Sequence, residues 1–215
     1  MTAVSGSFPV SFYQSRNSME NFARLCQLMM TICVDLFRDL LSYYIDHEEL
    51  QTAPTNNREH TPSIRNYTRR ELSHSYVCSL SKKPSTKQMN LSLLYLSLRF
   101  SCNIAQPANG WGNRPENDDK SLAACIERLR ILGKLVLDHS NGIGYTEFCD
   151  IRLNLHTNIK EIQNMVLGKD TYAQAIDDLF CRDLNSSRSS AYIRDFQSLQ
   201  SKNNDNFFYF GSESQ

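Results

Sequence analysis

The sequence predicts an all-α protein, a single helical bundle of about five to six helices. Three observations carry this. Apolar residues recur at helical spacing through several long windows. Glycines follow two of those windows as stop signals, at Gly142 and Gly168. The one dense apolar run that periodicity leaves open, 89–102, is rich in Leu and has no β-branched residue, which favours a buried helix over a strand.

Residues 1–18 are polar and read as a disordered tail, with Ser18 as an N-cap and Glu20 in the first turn of the helix that follows. Phe22, Leu25/Cys26, Met29, Ile32/Cys33, Leu36/Phe37, Leu40 and Tyr44 then form one wide apolar face. Residues 46–63, with Pro54, Asn56, Asn57 and Pro62, read as a loop. A weaker helical pattern covers 64–80, and 81–87 is a basic loop around Pro84. Asp118 or Asp119 is expected to cap the helix striped by Leu122, Cys125/Ile126, Leu129, Leu132 and Val136, which Asn141-Gly142 ends, Gly142 as the C′ residue. Tyr145 to Leu167 is the next helix, stopped by Gly168, and Asp170 to Leu184 the last. The expected organisation is a tail over 1–18, a helical domain over 19–184, and a polar, largely disordered tail over 185–215 that holds the aromatic cluster Phe207–Phe210.

Bulk chemistry narrows the function classes. A chain of 215 residues suits one domain of ordinary size. Its 23 basic and 23 acidic residues give a formal net charge of zero, so nucleic-acid binding would have to come from a local patch. One candidate is Arg65, Arg69, Arg70, Lys82, Lys83 and Lys87, although a solvated face is the commoner explanation of such a group. Residues 1–10 lack the basic residue and apolar run of a secretory signal. The densest apolar stretch, Leu25 to Tyr44, is interrupted by Gln27, Asp35, Arg38 and Asp39, so no membrane span is expected. The seven cysteines show no CxxC spacing and no histidine at zinc-finger distance. The expectation is a reducing, cytoplasmic setting, with no metal and no cofactor. The sequons at Asn66, Asn90 and Asn185 then carry no meaning.

The residues that stand out lie on the 121–139 helix. It follows a Pro107-Ala-Asn-Gly-Trp111 turn holding the only Trp, carries Arg128, Arg130 and Lys134, and ends at His139. His139 reads either as a nucleotide contact or, more commonly, as a helix C-terminal residue favoured by the macrodipole. Trp111 reads either as a base-stacking platform or, more commonly, as a plug at the core edge. Asp35 and Asp39 lie one turn apart, but on a helix that is otherwise apolar core.

The order of several short pieces resembles a HEPN domain, of the type found in the DAZ-interacting zinc-finger ubiquitin ligase and in related invertebrate proteins. The pieces are Asn21-Phe-Ala-Arg-Leu25, Asp35-Leu-Phe-Arg38, Leu91-Ser-Leu-Leu94, Pro107 through Gly110-Trp111, Ser121-Leu122, Ile126-Glu-Arg128, His139-Ser140 and Phe148, spread over 19–168. The resemblance implies a bundle of four to five helices that commonly dimerises. Active members are metal-independent ribonucleases, with an Arg and a polar residue a few positions before a His. Cleavage by the RNA 2′-hydroxyl needs a group that moves protons near neutral pH, which histidine supplies. It also needs a cation for the phosphorane charge, which the planar arginine fork supplies.

In this chain the histidine position is His139, the arginine position holds Gly133 and the polar position holds Lys134. Arg130 is nine residues before His139, about two and a half turns. Lys134 brings a charge but no bidentate fork. The resemblance therefore implies a catalytically degenerate module that binds RNA, forms homodimers or engages other signalling proteins, in signalling or innate defence. The RNA-contact candidates are Arg128, Arg130, Lys134 and His139, and the apolar Leu132–Val136 face is the dimerisation candidate. The alternative is an active endoribonuclease using His139, and a third reading is a protein adaptor without RNA contact. Ligase activity would need a RING, whose Cys/His spacing is absent.

Overall fold

A long apolar face like that of 22–44 has to be covered from several sides, and in the computed structural model of the protein it is the centre of the bundle. The structure describes residues 10–44, 87, 89–168, 170–181 and 186–201, all helix, turn or irregular, with no strand among them. α1 (Val10–Leu28) passes through a π-helical turn (Met29–Cys33) into α2 (Val34–Tyr44), making one continuous rod. Thr31 donates its hydroxyl to the Gln27 carbonyl at 2.7 Å within this turn, a side-chain bond that competes with the regular helix ladder. The rod buries Phe22, Leu25, Cys26, Met29, Ile32, Cys33, Leu36, Phe37 and Leu40, as the periodicity predicts. It touches every other described helix. The rod begins at Val10, however, and Ser18 lies inside it rather than capping it.

α3 (Leu91–Ser101) packs on α2, capped by Asn90, whose side chain accepts from the Leu93 N–H at 2.9 Å. Leu91, Ser92, Leu93, Leu94, Tyr95, Leu96 and Leu98 are all buried, which is why the run shows no polar face. α4 (Leu122–Asp138) and α5 (Tyr145–Ile162) pack together as a helical hairpin. The α4 cap is Ser121, which accepts from Ala124 N–H at 3.2 Å, and not Asp118 or Asp119. Asp119 instead accepts from the backbone N–H groups of Ser121 and Ala108, at 2.8 and 3.1 Å. α5 runs into a second π-helical turn (Gln163–Leu167), closed by Gly168 at φ +61° as the sequence indicates.

α6 (Thr171–Cys181) enters against the buried Gln163, whose side-chain oxygen accepts from Ala173 N–H at 2.8 Å. α7 (Ser186–Ser201) corrects the expected C-terminal tail: it is a helix lying on α1, and its Phe196 is fully buried in the core. The Ser-, Arg- and Gln-rich composition of that stretch hides a single strong anchor. The helical pattern over 64–80, the neighbouring loops, the basic group from Arg65 to Lys83 and the Phe207–Phe210 cluster lie outside the described residues. Among the described residues no helix is long and apolar enough to cross a membrane, and no cluster of His, Cys, Asp and Glu is arranged to hold a metal ion.

Candidate functional site

α4 presents two different constellations. The first is buried, in its N-terminal half. Glu127 is fully buried and satisfied by three donors. The Tyr95 hydroxyl donates to Oε1 at 2.5 Å, the Gly112 N–H to the same oxygen at 2.8 Å, and Arg130 Nε to Oε2 at 2.6 Å. Arg130 is only 3% exposed, donates from Nη2 to the Gly112 carbonyl at 2.9 Å, and lies 6.0 Å from the Tyr95 ring centre. Glu127 and Arg130 therefore grip one residue from both sides, through the N–H and the C=O of Gly112. Burial, followed by the neighbouring Glu127 charge, pushes the Tyr95 hydroxyl well above the usual tyrosine range.

This grip sets the preceding turn. Gly110 and Gly112 have φ of +76° and +87°, a backbone conformation that glycine adopts without steric cost. Trp111, held between them, is half-buried and meets Tyr95 edge-on at a centroid distance of 6.3 Å. It plugs the core edge. One helical position away, Arg128 Nη2 donates to the carbonyls of Glu116 and Asp119, both at 2.5 Å, and pins the next part of the same segment.

The second constellation is at the C-terminal end. His139 is the C-cap of α4, with φ −99° and ψ +36°. Its Nδ1 lies 2.8 Å from the Leu135 carbonyl and its Nε2 2.9 Å from Glu147 Oε1, in the first turn of α5. Both partners are hydrogen-bond acceptors. A neutral imidazole has one N–H and satisfies one of them; the imidazolium satisfies both. The corner that follows docks on α1: Ile143 N–H donates to the Ser18 carbonyl at 3.0 Å, and Asn21 donates to the Ile143 carbonyl at 3.1 Å. Gly142, at φ +113°, lies beyond the C′ position assigned to it, because α4 already ends at Asp138.

The candidate residues are thus distributed over α4 and not gathered. Nine residues at about 100° each place Arg130 roughly opposite His139 around the helix, and its guanidinium is closed inside the Glu127 network. Arg128 is bound to segment carbonyls. Lys134 is half-buried and Gly133 is buried. The Leu132–Val136 face is mainly interior: Val136 is fully buried and Leu132 half-buried, and Leu135 is its exposed apolar side chain. On α5, Tyr145 and Leu153 are also exposed.

Tyr95, Gly112, Glu127 and Glu147 escaped the sequence reading. Tyr95 looked like one more apolar residue of α3, and Gly112 like a plain turn residue. Glu147 is eight positions past His139, across a corner. The Glu127/Arg130 pair did leave a signal, two opposite charges three residues apart within an otherwise apolar stripe.

Between α2, the second π-helical turn and the start of α6, Asp35, Arg38, Asp39, Leu167, Thr171 and Tyr172 line an open cleft of about 470 Å³. Asp35 pairs with Arg38 at 2.6 Å and Asp39 accepts from the Tyr172 hydroxyl at 2.6 Å, so each carboxylate has its own partner and the two do not work as a pair.

A family model described as DZIP3/hRUL138-like HEPN matches residues 47–192, about two thirds of the chain. The match takes in α3 to α6 and the opening of α7, including every α4 residue discussed above. The two resembling pieces on α1 and α2 fall before it. No curated protein and no solved structure matches the chain.

Proposed function

Because the chain belongs to the DZIP3/hRUL138-like HEPN family, we propose that it is a catalytically degenerate HEPN module that acts by binding rather than by cutting. The observation that carries this is the surroundings of His139. Gly133 stands where the family motif has its arginine, the two helix arginines are engaged with Glu127 and with backbone carbonyls, and both ring nitrogens of His139 face acceptors within the chain. A ribonuclease needs a phosphate-reading cation beside a histidine that is open to the 2′-hydroxyl or the leaving oxygen. The module is proposed to form homodimers, with Leu135, Tyr145 and Leu153 as the apolar surface, and to bind RNA or signalling proteins in an intracellular signalling or defence setting. RNA contact falls to Lys134 and His139, because Arg130 is enclosed.

The test is single-stranded RNA incubated with the purified full chain. No cleavage is expected. Cleavage by the wild type that disappears in His139→Ala would overturn the reading in favour of the endoribonuclease. Binding without cleavage should be weak and fall steeply with salt, with a log–log slope of about −0.7 per phosphate contact. Lys134→Glu should weaken it. Absence of binding at low salt leaves the protein-interaction module. Sedimentation at tens of micromolar tests the dimer, and Leu135→Glu should shift it towards monomer.

A further inference from the structure

The helices of this bundle are anchored very unequally. α4 buries ten residues and α5 six. α7, with 16 residues, buries one of its described side chains, Phe196. Tyr192 and Ile193 are partly covered against the core, while Arg188, Ser190, Arg194 and Asp195 are exposed. The helix rests on α1, the first π-helical turn and α4, with α1 as its main support. The family match ends at residue 192, before the Phe196 anchor, so the anchor lies outside the span shared with the family.

A helix whose described side chains hold it by one large anchor and two partly buried ones opens more readily than one fixed along its whole face, because local opening follows local apolar burial. What it leaves behind is a groove on α1 with an aromatic-sized socket. We propose that α7 is a releasable latch: the α1/π-turn face is a helix-docking groove whose resident occupant is α7 of the same chain, seated by Phe196. The recognition is that of an amphipathic helix laid in a groove, with one aromatic anchor and a polar outer face. The inference is independent of whether the chain binds RNA.

Hydrogen exchange on the wild-type full chain gives the first reading. Amides of 189–198 are expected to exchange at least about tenfold faster than those of 125–137, as a separate opening unit. Equal protection of the two segments overturns the latch. The second reading uses full-length Phe196→Ala and a labelled synthetic peptide of residues 186–201. The peptide should bind the variant saturably, and at least about tenfold more tightly than it binds the wild type, whose groove is filled. The same peptide with alanine for Phe196 should not bind. Equal binding to both proteins, or no binding to a variant whose α4 and α5 amides stay protected, overturns the proposal. So does loss of protection throughout α4 and α5 in Phe196→Ala, since Phe196 would then belong to the global core and not to a separable helix.

Discussion

The two ends of α4 treat charge in opposite ways. In the N-terminal half, Glu127 and Arg130 are taken out of water completely and every donor around the carboxylate is matched. At the C-terminal end His139 and Glu147 form their contact at the surface, 32% and 41% exposed. A buried pair must recover the desolvation of both ions through close geometry and further hydrogen bonds, so losing one partner is severe. A surface pair in high dielectric gains little and loses little. The residue that attracts attention in the sequence, His139, is therefore held lightly. The plain-looking Glu127 holds α3, α4 and the Trp111 turn together.

The largest expected effect follows from that contrast. Glu127→Ala or Arg130→Ala should lower unfolding stability by about 3–5 kcal/mol, the cost of leaving a buried charge without its partner. Urea unfolding followed by fluorescence of Trp111, the chain's only tryptophan, reads both stability and the local turn. Replacing the two together by Leu and Met should cost less than either single change, because no orphaned ion remains. A cost below about 1 kcal/mol for the single changes would put the pair on the same footing as a surface one and erase the distinction between the two ends.

The fold was legible wherever burial follows helical spacing. The apolar positions of α1–α2, the buried run of α3, the α4 stripe and the Gly168 stop all follow from side-chain size and period. Illegible features have specific causes. The two π-helical turns shift hydrogen bonds by one residue without disturbing the apolar pattern. Ser121 and Asp119 both carry capping oxygens, and only backbone geometry decides between them. α7 carries only a short stripe, Tyr192/Ile193, Phe196 and Leu199, inside a Ser-, Arg- and Gln-rich stretch that reads as polar. Within the site, His139 was visible as a helix end. The Glu127/Arg130 pair left a signal that is easily misread, because opposite charges three apart on a helix ordinarily mark a solvent-exposed pair.

A smaller break tests how the His139 corner is seated. Gly142 has φ +113°, and a Cβ there would lie 2.6 Å from Ser18 Oγ, 3.0 Å from Ser18 Cβ and 3.2 Å from the Ser18 carbonyl carbon. Gly142→Ala should cost about 1–3 kcal/mol from backbone strain alone. Ser18→Gly in the same chain should restore only part of it, since the backbone carbon and the strained φ remain. Full restoration would show that the side-chain clash is the whole effect. By contrast, Glu147→Ala should change stability by no more than about 1 kcal/mol, and an effect as large as that of Glu127→Ala would contradict the light hold on His139.

The smallest expected effect concerns acid. Hydrogen bonds from the side chain and backbone of Ser121, then from Ala108 N–H, with the Arg128 charge, hold the Asp119 carboxyl below its ordinary value of 3.8. A carboxyl lowered in the folded state binds its proton more tightly when the chain is unfolded. Its stabilisation is therefore present above pH 3.8 and is lost as pH falls through the folded value. Asp119→Asn keeps a carbonyl acceptor but has no proton to bind. Its stability should be slightly lower than wild type at neutral pH, and the two unfolding curves should converge as pH falls below about 4. Urea midpoints measured across that range decide it. Curves that stay parallel would mean that Asp119 holds the 108–121 segment through geometry alone, and that only the buried Glu127/Arg130 pair anchors this side of α4 by charge.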